Sequence, residues 1–96
     1  VVLKGAGTLV AAKDRPTAIN LTGNPGMATG GSGDVLAGLT VGLLGMGMAP
    51  YDAARAAVYL HGRAGDLVAW RKSQAGLNAT DLIEELPYAF RDIALR

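Results

Sequence analysis

The stretch that most constrains this chain is NPGMATGGSGDVLAGL, Asn24 to Leu39. In it, five glycines and a single carboxylate, Asp34, run directly into an apolar helical pattern. A glycine run permits positive φ and lets several backbone N–H groups converge on one point. A helix starting there adds its unpaired N–H groups and the positive end of its dipole. Together these make an anion site, most often for phosphate. The plainer reading is a flexible turn with Thr29 or Ser32 as N-cap and Asp34 as a first-turn acid. The glycines alone do not choose between the two.

Two familiar phosphate loops are excluded by spacing. Gly26 and Gly31 have the separation of a P-loop, but Ser32 and Gly33 follow, so its lysine is missing. A dinucleotide fingerprint begun at Gly5 needs glycine where Val10 stands. Begun at Gly31, it needs glycine where Leu36 stands. Asp34 therefore needs another explanation. A carboxylate beside an anion-binding loop repels a bound phosphate unless it faces the group that attacks that phosphate. A base accepting a hydroxyl proton belongs at that place in phosphoryl transfer. Asp34 is thus the candidate catalytic base, facing the substrate. Gly31, Ser32 and Gly33 are the candidate anion hole, with their amides stabilising charge on the transferred group.

A second candidate is LKGAGT. A strand ending in Lys-Gly, with a small loop and a threonine, suits a nucleotide phosphate or ribose held by Lys4, Thr8 and the backbone of Gly5, Ala6 and Gly7. Taken alone, a lysine at a strand end before a tight turn is the commoner explanation.

Around these motifs the pattern reads strands first and helices after, which predicts an α/β arrangement with a sheet covered by helices. Val1–Lys4 reads as a buried strand, Thr8–Lys13 as a second and Thr17–Leu21 as a third, with the last two pairing as a hairpin. Gly23 to Gly33 reads as one long loop. A helix follows from Asp34, with Leu36, Leu39 and Leu43 at helical spacing, and another runs from Tyr51 to Arg71. On the latter, Ala54, Val58 and Leu67 or Val68 form the expected inward stripe, and Gly62 and Gly65 allow a neighbouring backbone to approach. Asp52 and Arg55 are expected to pair on a solvated face. Asn78 or Thr80 is expected to cap a short helix, DLIEEL, that Pro87 interrupts before a last amphipathic helix, YAFRDIALR.

Composition narrows the classes further. Ninety-six residues, half of them hydrophobic, with net charge +1, suit one small domain with a core and exclude a disordered tail. The balance leaves no electrostatic footprint for nucleic acid or an anionic membrane. No apolar run approaches the ~20 residues that cross a bilayer. The lack of cysteine excludes disulfides and thiolate metal sites and fits a reducing, cytoplasmic setting. The lone His61 argues against a histidine-built metal centre or a Ser-His-Asp site within the chain. Opening directly in a strand-like run, VVLKG, the chain is expected to be the C-terminal part of a larger domain.

In order, LKGAGT, GNPGMATGGSGDVLAGL, YLHGRAGD and NATDLIEELP resemble the C-terminal half of the ADP/ATP-dependent NAD(P)H-hydrate dehydratases, which are ribokinase-like proteins. The resemblance spans almost the whole chain. It implies the C-terminal portion of a three-layer α/β/α fold. It also implies an enzyme that uses ADP or ATP to phosphorylate the ring hydroxyl of hydrated NADH or NADPH and then eliminates phosphate. It places Lys4 to Thr8 and Gly33 at the nucleotide and Asp34 at the substrate hydroxyl. Mg²⁺ is implied too, without a recognisable ligand set here, and the family leaves room for a homo-oligomer. His61 and Asp66 are expected to cap and pack between helices, with a nucleotide- or substrate-side role as the alternative for His61. The nearest rival is a ribokinase-like small-molecule kinase using Asp34 as its base. A reading from another class is a non-catalytic nucleotide-binding module.

Overall fold

The computed structural model describes residues 1–5 and 7–94. Three short strands come first: β1 (Val2–Leu3), β2 (Leu9–Val10) and β3 (Ala18–Ile19). One 3₁₀ turn follows at Pro25–Met27, and then α1 (Ser32–Gly45), α2 (Pro50–Arg71) and α3 (Ala79–Ala94). The strands form one sheet in the order β1-β2-β3, antiparallel throughout. Val10 is the register point, opposite Val2 on one side and Ala18 on the other. Ala6, within the LKGAGT motif, lies outside the described residues, as do Leu95 and Arg96 at the end of the expected last helix.

The strands are shorter than their apolar runs predict, and β1 is not buried. Val2 is 38% and Leu3 63% exposed, whereas Val10 on the central strand is 1% exposed. The reason is placement. Val10 packs with Tyr51 and Val58 of α2, while β1 is an outer strand whose residues join neither buried cluster. Tyr51 also ties the β2–β3 connection to α2. Its hydroxyl donates to the Pro16 carbonyl, and the Arg15 guanidinium lies 4.6 Å from its ring centre. Asp52 pairs with Arg15 at 3.2 Å and more loosely with Arg55 at 3.9 Å, all on a solvated face.

The main core is helical. Ala53, Ala57, Leu60, Ala64 and Val68 of α2 meet Leu43 of α1 and Leu82 and Ala89 of α3. Alanine at these positions lets the helices approach closely, because each contributes little beyond a methyl group. Of the expected inward stripe, Val58 and Val68 are buried, whereas Ala54 and Leu67 are only partly covered.

α3 departs from expectation. Pro87 lies inside one continuous helix and does not divide it. A proline there removes a backbone hydrogen bond and crowds the preceding turn, at a cost of about 3 kcal/mol. Packing against α2 on both sides of Pro87 offsets this: Leu82 and Ala89 are fully buried, Arg71 pairs with Glu85 at 2.8 Å, and Arg63 pairs with Asp92 at 3.1 Å. The start of α3 is fixed by Asn78. Its Oδ1 accepts from the Asp81 amide at 3.0 Å, while Asp81 Oδ2 accepts from the Asn78 amide at 3.1 Å. This reciprocal pair satisfies two helix-terminal donors at once. The Lys72 ammonium, 2.8 Å from Asp81, holds that carboxyl below its ordinary value against the opposing effect of burial.

Candidate functional site

The start of α1 is the centre of the site. Gly31 is its N-cap, with φ of 87° in the left-handed region. A side chain there would be strained, and its Cβ would come 3.1 Å from the Cβ of Ala79. Neither Thr29 nor Ser32 caps the helix through its side chain, contrary to the plainer sequence reading. The Ser32 hydroxyl instead lies 3.2 Å from Nε2 of His61, whose ring also lies 3.0 Å from the Ser32 carbonyl. Among the described residues, the amides of Gly33 and Asp34 find no backbone acceptor, as expected for a helix start.

The LKGAGT loop comes to the same place. Lys4 Nζ stands 3.1 Å from where a Cβ on Gly33 would lie, so a primary ammonium sits over the positive end of α1. Two like charges converge there with no carboxylate paired to Lys4 among the described residues. That arrangement suits an anion. Thr8 Oγ1 donates to the Gly5 carbonyl at 3.2 Å and shapes the turn.

A cavity of about 820 Å³ joins these parts, lined by Lys4, Gly5, Gly7, Thr8, Ser32 and Gly33, with His61 behind them. Gly31 and Asp34 lie elsewhere. They line a groove of about 620 Å³ between α1 and α3, whose walls include Val35, Leu39, Ile83 and Phe90. The start of α1 therefore divides the expected site residues. Ser32 and Gly33 face the Lys4 side, and Gly31 and Asp34 face the α1–α3 side.

α2 holds the glycine loop in position. Asp66 accepts from the Gly23 amide and from Asn24 Nδ2, both at 3.0 Å. Thr22 Oγ1 donates to the Tyr59 carbonyl at 3.1 Å, and Asn20 Nδ2 donates to the Val58 carbonyl at 3.2 Å. Gly62 is what permits this contact: a Cβ there would come 2.7 Å from the Thr22 carbonyl carbon. Gly65 similarly makes room for Met27. Asp66 thus anchors a loop and does not cap a helix, and His61 joins α2 to the start of α1. The sequence held a signal for this. His61, Gly62, Gly65 and Asp66 fall on one face of α2, where paired small residues beside polar ones mark a close backbone approach.

Burial holds His61 below the ordinary imidazole value, the bond to the Ser32 carbonyl opposes this, and Lys4 reinforces it. The ring is therefore neutral near pH 7. The described residues do not fit a protein-built magnesium site. No group of three or more acidic, histidine or cysteine side chains gathers anywhere among them, and no carboxylate lines the Lys4 cavity. No helix among them is long and apolar enough to cross a membrane.

Residues 1–88 match the family model described as NAD(P)H-hydrate dehydratase. The bifunctional NAD(P)H-hydrate repair enzyme of Moorella thermoacetica is 50% identical over 93 residues, covering 97% of this chain and 18% of that protein. The ADP-dependent (S)-NAD(P)H-hydrate dehydratase of Neisseria meningitidis is 46% identical over 91 residues, covering 95% of this chain and 30% of that protein. In three dimensions the chain is similar to the Bacillus subtilis ADP/ATP-dependent NAD(P)H-hydrate dehydratase co-crystallized with ATP/Mg²⁺. The TM-score is 0.89 at 38% identity, over 95% of this chain and 33% of the other. The chain thus spans between about a fifth and a third of these proteins.

Proposed function

The chain belongs to the NAD(P)H-hydrate dehydratase family, and from that premise we propose that it forms the phosphate-handling part of an ADP- or ATP-dependent dehydratase acting on hydrated NADH or NADPH. One observation carries the reading: the Lys4 ammonium is poised over Gly33 at the start of α1, while Asp34 on the next residue turns to a separate groove. A helix start with a cation on one side and a carboxylate on the other suits a phosphoryl donor and an acceptor hydroxyl approaching from opposite sides.

In this reading the donor's phosphates lie in the Lys4 cavity, held by Lys4 and the Gly33 amide, with Gly5 and Thr8 shaping the adjoining turn. Gly31 supplies the left-handed turn that aims that amide. Asp34 takes the proton of the ring hydroxyl, whose oxygen bonds to the donor's terminal phosphorus as the bridging P–O bond breaks. Phosphate then leaves with C–O cleavage, a ring proton is lost, and the double bond is restored. Amide donors stabilise charge on the transferred group without reorganising. Magnesium would accompany the nucleotide. The three-layer ribokinase-like arrangement of the whole domain belongs to the same proposal.

The test is to incubate the intact protein with hydrated NADH and ADP, then ATP, and follow the return of NADH absorbance. Regeneration dependent on the nucleotide supports the reading. Its absence, with phosphorylation of a sugar or vitamin precursor instead, would favour the small-molecule kinase.

A further inference from the structure

We propose that His61 is a positioning residue: its Nε2–H, shared between the Ser32 carbonyl and hydroxyl oxygens, leaves the Ser32 hydroxyl proton free to donate to an anion at the start of α1. The inference rests on the phosphate-site reading of the Lys4 cavity, and it adds a donor that the amides alone do not supply.

The argument begins from partners. A carbonyl oxygen only accepts, and His61 Nε2 lies 3.0 Å from the Ser32 carbonyl oxygen. Nε2 therefore bears the hydrogen, which in a neutral ring leaves Nδ1 without one. The other tautomer would set two lone pairs against each other at that distance. The same Nε2 lies 3.2 Å from Ser32 Oγ, so this hydroxyl also receives the shared N–H and does not donate to the ring. Its own proton needs another acceptor, and none is present among the described residues. Ser32 is 7% exposed, so the hydroxyl is not freely solvated, and the residue lines the cavity together with Lys4 and Gly33. Three donor types then converge there: a lysine ammonium, helix-start amides and a hydroxyl of fixed polarity. Burial and Lys4 lower the proton affinity of His61, so its ring is neutral with its one hydrogen on Nε2.

Two measurements on the intact protein test this. The first is long-range ¹⁵N–¹H NMR of the His61 ring at pH 7.5, assigned by the signal lost in His61→Gln. The Nε2–H tautomer is expected, and a ring carrying its hydrogen on Nδ1 with a bare Nε2 overturns the proposal. The second is ADP affinity by calorimetry for Ser32→Ala, His61→Leu, His61→Gln and the Ser32→Ala/His61→Leu pair. Ser32→Ala and His61→Leu should each weaken binding about tenfold, the cost of one hydrogen bond to a charged group. His61→Gln, which returns an N–H near the Nε2 position, should recover most of the loss. His61→Leu should add almost nothing once Ser32 is alanine, because both act through one hydroxyl. Additive losses overturn the proposal. ADP binding with this pattern but no turnover of hydrated NADH would sink the dehydratase reading and leave His61 as assigned. Turnover with an additive cycle would do the reverse. Failure of the wild-type protein to bind ADP overturns both.

Discussion

Asp66 of α2 accepts two hydrogen bonds from the far side of the glycine loop, one from the Gly23 amide and one from Asn24 Nδ2, each at 3.0 Å. One carboxylate thereby fixes the entrance to the glycine-rich segment, eight residues from Asn24 to the start of α1 at Ser32. The lost bonds in Asp66→Ala should reduce unfolding free energy by about 1–3 kcal/mol, since each orphaned donor is partly buried. By contrast, Asp52→Ala, which removes an exposed pair with Arg15, should change it by less than about 1 kcal/mol. Urea unfolding of the two variants checks the contrast, and equal effects would show that Asp66 does not anchor the loop.

Asp34→Asn keeps the size of the side chain but removes its ability to accept a proton. Turnover in the intact protein should fall about 10²- to 10⁴-fold, the usual contribution of a general base. ADP binding should change little, because Asp34 lies outside the Lys4 cavity. Initial rates paired with calorimetry give both numbers, and surviving turnover would remove Asp34 from the role of base.

Lys4→Met should do the opposite. It removes the ammonium beside Gly33 while keeping a comparable apolar stem. ADP affinity should drop by about ten- to a hundredfold, as for a lost charge-assisted hydrogen bond. The effect should shrink with rising salt, because the group is exposed and screened. An unchanged Kd at low ionic strength would place the nucleotide elsewhere.

Two groups set separate acid thresholds for stability, both lost as pH falls. Asp81 has a lowered folded value, so its contribution is present above the ordinary carboxylate range and is lost as pH falls through the folded value. In Asp81→Asn the pH slope of stability below about pH 4 should therefore flatten. His61 also has a lowered folded value, but as a base it resists charging when folded. Above about pH 6.5 it imposes no penalty. Below that, the unfolded chain binds the extra proton and stability declines. His61→Gln should remove this component below about pH 6.5, while leaving the acid limb that belongs to Asp81. Thermal unfolding across pH 2–8 in about half-unit steps resolves the two windows.

Gly62→Ala probes the backbone contact between α2 and the loop. A methyl group there meets the Thr22 carbonyl carbon at 2.7 Å, so the loop must move. Overpacking of this kind costs about 1–3 kcal/mol. ADP binding should weaken alongside Tm, because the displaced segment leads into Gly31–Gly33. A stable variant with wild-type affinity would mean that the loop adapts without consequence.

The sequence by itself determined a good deal: the order of strands and helices, the α2 boundaries to within one residue, a cap at Asn78 or Thr80, and a glycine-rich turn leading into α1. These are local matters. Helical period, cap residues and glycine runs act over a few neighbours, and their physics is written in adjacent letters. Tertiary structure decided the rest. Pro87 stays inside α3 because buried contacts with α2 on both sides of it outweigh a local penalty. Ser32 gives up the N-cap role because His61, 29 residues away, takes its side chain. Gly33 and Asp34 face different cavities because consecutive residues on a helix point some 100° apart, and the packing of α3 and of the Lys4 loop decides what each one meets. These choices depend on partners distant in sequence, and no local pattern records which partner will arrive.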